Sequence, residues 1–154
     1  MEEWERFKSG KARGEWAELQ FMAAAAQRQF RVCKPWGETA AYDVGVDYGP
    51  NFLRVQVKSS TNRRGRGYWC EFSRHYRKEN DYTLEEVDLF AAYVIPVDVW
   101  YLIPAAVLLR DGRKGSMLFP VVQPVKKNSF HYERYMDGWW LLTKTRRGLA
   151  KCGG

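Results

Sequence analysis

The chain has 154 residues, with 25 Lys and Arg against 18 Asp and Glu, giving a formal net charge of +7. At 45 % hydrophobic and 28 % charged residues it has the composition of a folded chain, not a disordered one. No apolar run approaches the ~20 residues of a membrane span, and Met1 leads into Glu2, Glu3 and Glu5, the wrong sign for a secretory leader. The expectation is one domain over 1–154, with a core from about 11 to 142, in a cytoplasmic, reducing setting. Cys33, Cys70 and Cys152 are odd in number and widely spaced, so free thiols are expected and no zinc pattern forms. The surplus of base points to a polyanionic partner.

Along the chain, Gly14 to Phe30 predicts a helix rich in Ala, Leu, Met and Gln. Trp16, Leu19, Ala23, Ala26 and Phe30 form one stripe, with Phe21, Met22 and Ala25 on another side, so the helix reads as mostly buried. The period then changes to two. Arg31–Cys33 is a short strand ended by Pro35, Trp36 and Gly37. Tyr42 to Val46 is a second strand, turned by Tyr48-Gly49-Pro50-Asn51. Phe52 to Lys58 alternates, with Leu53, Val55 and Val57 on one side and Arg54, Gln56 and Lys58 on the other. A basic loop follows from Thr61 to Gly67, then a strand from Tyr68 to Phe72. Ser73 to Glu86 is polar and irregular. Leu89–Ile95 and Val99–Ile103 are apolar strands, and Pro104 starts a short helix to Leu109. Met117 to Val122 is a last strand, and Tyr132 to Leu142 an aromatic tail. The ends are expected to fray before about Lys11 and after Thr145. This order fits a mixed α+β fold with one central sheet.

The chemistry gathers on one hairpin. Asp43 lies in an apolar stretch, where a lone carboxylate is costly. Gln56 and Lys58 are two apart on a strand, so they leave one face roughly 7 Å apart. If the two strands are neighbours, Asp43, Gln56 and Lys58 converge. A carboxylate, an amide oxygen and an ammonium suit a hard divalent cation beside a phosphate. Glu18 on the first helix offers a second carboxylate.

A helical Glu, then Asp, then (D/E/Q)-x-Lys on a hairpin resembles the PD-(D/E)XK nuclease superfamily. The segments Gly14–Glu18, Pro35–Glu38, Tyr42–Val44, Leu53–Lys58, Asp88–Val94 and Tyr135–Trp139 are similar to its group I intron-associated homing endonucleases. The resemblance implies a restriction-endonuclease-like αβββαβ core with a mixed sheet flanked by helices. It implies Mg²⁺-dependent cleavage of double-stranded DNA, with Mn²⁺ as a substitute. It carries over Glu18, Asp43, Gln56 and Lys58 as catalytic residues, the first three as metal ligands. Gln56 stands where the superfamily more often has an acid, and Tyr42 stands where it has Pro. Two alternatives remain: a resolvase-like nuclease acting on branched DNA, and a DNA-binding module without turnover.

Arg63, Arg64 and Arg66 follow the hairpin directly and are assigned to DNA backbone contact. Lys126 and Lys127, and Arg146 and Arg147, are weaker candidates for the same role. Asp47 reads as an edge residue, Glu15 and Glu38 as surface charges, and Tyr68 and Trp69 as core or interface. His75 and His131 are isolated, without partners at ligand spacing. Trp139 and Trp140 read as core or an oligomer contact. Cutting both strands of a duplex takes two sites, so a homodimer or homotetramer is expected.

Overall fold

The computed structural model describes residues 2–74, 81–121 and 131–153. Lys126, Lys127 and His75 lie outside them. A 3₁₀ turn at Glu3–Arg6 leads into α1, Gly10–Gln27. Ser9 starts α1 by accepting the Ala12 N–H at 3.1 Å. Gln29 ends it in a left-handed conformation, φ 68°. The Gln29 and Phe30 amides bond back to the Ala26 and Ala25 carbonyls, a Schellman close. The helix thus stops short of the expected Phe30.

Five strands make the central sheet, in the order β1 (Arg31–Cys33), β2 (Val44–Tyr48), β3 (Asn51–Ser60), β6 (Leu89–Val94) and β7 (Val99–Pro104). Only the β3–β6 pair is parallel, so the sheet is mixed. A second sheet joins β4 (Arg63–Arg64), β5 (Gly67–Glu71) and β8 (Gly115–Leu118). The basic loop is therefore partly strand, turned at Gly65 with φ 59°. Gly67 is needed where β5 meets β8, because a Cβ there would stand 2.8 Å from the Leu118 carbonyl oxygen. The helix α2, Ala105–Asp111, follows Pro104 as its cap and closes on Gly112. Strand β8 starts two residues earlier than expected and ends at Leu118.

The two faces of the central sheet are covered differently. On one, α1 brings Phe21 against Trp100 and Trp139, and Trp16 against Tyr93. On the other, Phe90 meets Phe72 and Tyr82 edge-on. Ala17, Phe21 and Ala25 are the buried positions of α1. The predicted stripe is not the buried face: Leu19 is 60 % exposed, and Ala23 and Ala26 are exposed with it. An Ala-rich helix is apolar nearly all round, so its composition does not select a side.

The ends are better ordered than expected. Two 3₁₀ turns, Glu133–Tyr135 and Trp139–Thr143, build the aromatic tail, and α3, Arg146–Ala150, follows. Glu133 clamps the tail by accepting from the Tyr101 hydroxyl at 2.5 Å and the Phe119 amide at 2.9 Å. Trp139 is buried and Trp140 exposed. The three cysteines are free thiols, and burial pushes the Cys70 thiol up to about 12. Among the described residues no helix is long and apolar enough to cross a membrane.

Candidate active site

Strands β2 and β3 pair through Val44↔Val55, and the Asp43 amide extends the ladder by donating to the Val55 carbonyl at 2.9 Å. The paired register ends at Val44↔Val55, and Asp43 lies just outside it, still bonded to Val55. Strand β2 begins at Val44, so Asp43 is the residue at which the chain leaves the sheet. The Val57 N–H would be left without a ladder partner there, and the Asp43 carboxylate takes it at 2.8 Å. Asp43 is thus fixed by the backbone on both sides, with Oδ2 engaged.

Glu18 reaches the same place from α1. Its carboxylate pairs with the Lys34 ammonium, from the loop after β1, with the Glu18 side chain 19 % exposed. Burial raises the Asp43 carboxyl to about 6, and the Glu18 charge adds to the rise. The Val57 amide, Lys58 and Lys34 pull the other way without overcoming it. Two carboxylates in a partly dry site repel, so the Glu18 charge raises the cost of ionising Asp43. Glu18 and Asp43 line one cleft of about 400 Å³, walled by the start of α1 and the loop from Lys34 to Tyr42.

Gln56 is 9 % exposed, and no hydrogen bond from a described residue holds its amide. Lys58 shares its face of β3. Its ammonium donates to the Ser73 carbonyl at 3.1 Å and the Tyr82 hydroxyl at 3.2 Å. Its charge is felt at Asp43. Asp43 therefore lies at the open end of the β2–β3 hairpin, bonded to the Val57 amide and within electrostatic reach of Glu18 and Lys58. The cleft is lined by Glu18 and Asp43 and not by Gln56 or Lys58.

The donor set fits a divalent cation. A partly buried carboxylate whose ionisation is held back by a second carboxylate is relieved by positive charge. Among the described residues no three His, Cys, Asp or Glu side chains cluster, so the cleft carboxylates Glu18 and Asp43 are a short list of charged donors. That short list suits an ion that keeps several of its waters, as Mg²⁺ does.

The model of the PD-(D/E)XK endonuclease family matches residues 8–134. The chain belongs to that family. The matched span contains the helix of Glu18 and the whole β2–β3 hairpin, and it ends before α3. No curated protein matches this endonuclease. Among solved structures it is similar to that of a bacterial homing endonuclease, I-Ssp6803I. The two are 25 % identical, with a TM-score of 0.74 over 87 % of this chain and 93 % of the other. The family and this likeness support nuclease activity.

Other predicted residues fall as follows. Arg63, Arg64 and Arg66 are exposed, and the Arg64 guanidinium lies 4.9 Å over the half-buried Trp69 ring. Tyr68 is buried in the core. Asp47 pairs with Arg31 at 3.4 Å, and Glu38 with Lys11 at 3.9 Å. Arg146 donates through Nε to Asp88 at 3.1 Å, with its side chain 54 % exposed. Sequence reasoning missed Arg54, Asp88, Ser73 and Tyr82. Arg54 binds the Asp88 carboxylate through Nε and Nη2, both at 3.0 Å, and the Leu84 carbonyl at 2.9 Å. The one signal for this segment was Thr83-x-x-Glu86, in which Glu86 accepts the Thr83 amide at 3.0 Å.

Proposed function

We propose that this endonuclease is a metal-dependent enzyme that hydrolyses phosphodiester bonds of double-stranded DNA, of the homing type. The reading rests on the raised Asp43 carboxyl facing Glu18 in the cleft. Glu18, Asp43 and Gln56 would hold Mg²⁺, with Mn²⁺ able to substitute. When bound, the cation supplies stabilisation of the charge that develops on the scissile phosphate and activates water for attack. The protein's own part is to orient. The Val57 N–H fixes the Asp43 carboxylate, Lys34 pairs with Glu18, and Lys58 presents an ammonium to the phosphate.

Arg63, Arg64 and Arg66 bind the DNA backbone in this reading. They begin five residues beyond Lys58, at most about 17 Å along an extended chain. Lys126 and Lys127 are proposed for the same role. Two copies of the chain, or four, bring two sites to one duplex.

The test is incubation with supercoiled plasmid. Nicked and linear products are expected with Mg²⁺ and none with EDTA. Plasmid left intact in Mg²⁺, with DNA still bound, would instead make the chain a binding module. Faster cutting of a four-way junction than of linear duplex would make it resolvase-like.

A further inference from the structure

We propose that Tyr82 is a positioning residue which, with the Ser73 carbonyl, holds the Lys58 ammonium for phosphodiester cleavage. The inference rests on the assignment of Lys58 to the active site. A lysine head on four rotatable carbons is poorly directed by itself, and an ammonium has three donors to place. Two are used here, by Ser73 O at 3.1 Å and Tyr82 Oη at 3.2 Å. Among the described residues the third has no partner, which leaves it to the substrate. The ammonium also lies 5.1 Å from the centre of the Tyr82 ring, within reach of its π-face.

Tyr82 is itself held from several sides, which a positioning role requires. It is 8 % exposed and packs edge-on against Phe90 at 5.3 Å. The Arg74 guanidinium lies 4.6 Å over the same ring, and Arg74 pairs with Glu86 at 3.2 Å. Glu86 in turn fixes the turn that follows Tyr82, because its amide and that of Val87 donate to Thr83 O at 3.0 and 3.1 Å. Arg54 ties this turn to β3 through the Leu84 and Glu85 carbonyls. Arg54 and Lys58 lie on one face of one strand. The first anchors the segment, and the segment holds the second.

Tyr82→Phe keeps the ring, its packing and both cation contacts, and removes only the acceptor oxygen. Two readouts apply to the full-length protein. One is single-turnover plasmid nicking in Mg²⁺, beside DNA affinity measured without metal. The other is the rate at which a brief pulse of acetic anhydride acylates Lys58, followed by peptide mass spectrometry with Lys34 as the internal reference. The variant is expected to nick about tenfold more slowly with unchanged DNA affinity. Its Lys58 acylation should rise against Lys34. Wild-type nicking together with wild-type acylation overturns the proposal. So does slow nicking with unchanged acylation, or with a matching loss of DNA affinity, since Tyr82 would then act elsewhere than through Lys58. Faster acylation with wild-type nicking in both Tyr82→Phe and Lys58→Ala overturns it differently. The contact would be real and the active-site assignment of Lys58 wrong.

Discussion

Asp43 and Asp88 are both drawn out of water beside the central sheet, and their carboxyls move in opposite directions. Burial raises Asp43, and Glu18 raises it further. Burial would raise Asp88 too, but the side-chain bond from Arg54, the Arg54 amide, its charge and the Arg146 bond hold it below the usual carboxylate range. The difference is where the positive charge comes from. Asp88 has two arginines built around it, with only 6 % of its side chain exposed. Asp43 has one backbone amide and two lysines that do not balance Glu18 and burial. One aspartate is satisfied by the fold; the other is left short of cation.

The largest effect that would break this contrast is on cleavage. Asp43→Asn and Lys58→Ala should each slow Mg²⁺-dependent nicking by about 10³-fold, read in single-turnover assays. Next is stability. Asp88→Asn leaves two arginines facing a neutral amide and should cost about 3 kcal/mol, seen as a lower melting temperature or urea midpoint.

The pH profiles should then diverge. Asp43, with an ordinary value of 3.8 and a folded value of about 6, costs nothing below pH 3.8, where it is protonated in both states. Its penalty grows as pH rises from about 4 to 6 and stays above that, at about 3 kcal/mol. Asp88 does the reverse: its contribution is present above pH 3.8 and is lost as pH falls through its lowered folded value. Melting curves from pH 3 to 8 should show Asp43→Asn gaining on wild type towards neutrality. The deficit of Asp88→Asn should shrink in acid. The smallest effect is that of Mg²⁺. At tenfold its dissociation constant it should raise the melting temperature by about 4 °C in wild type and in Asp88→Asn, and not in Asp43→Asn.

The parts of the molecule that sequence made legible are those in which neighbours in the chain are neighbours in space. Asp43 flanks β2 and Lys58 lies on β3, so a short turn suffices to bring the carboxylate to the Val57 amide and near the lysine. The central strands were readable for the same reason, from apolar runs bracketed by Gly and Pro. Where the chain was misread, the physics was not local or not distinctive. Gln29 closes α1 in a conformation usually signalled by Gly. Arg146 is the exposed base it looked like, but its bond to Asp88, 58 positions earlier, was not readable. Ser73 and Tyr82 meet Lys58 across 15 and 24 positions from an irregular stretch with no period to read.

The parallel pairing of β3 with β6 has a kinetic consequence. Strands β2 and β3 are joined by a tight turn and can zip locally, which brings Asp43 to the Val57 amide and near Lys58 early. Strand β6 must close a loop from Ser60 to Leu89 before Val55 can face Leu89. Loop closure over that distance is the slower step. The residues that hold Lys58 lie inside that loop, so the donor set of the site forms ahead of the cradle that aims it. Refolding watched at Tyr82 should lag behind refolding watched on the hairpin.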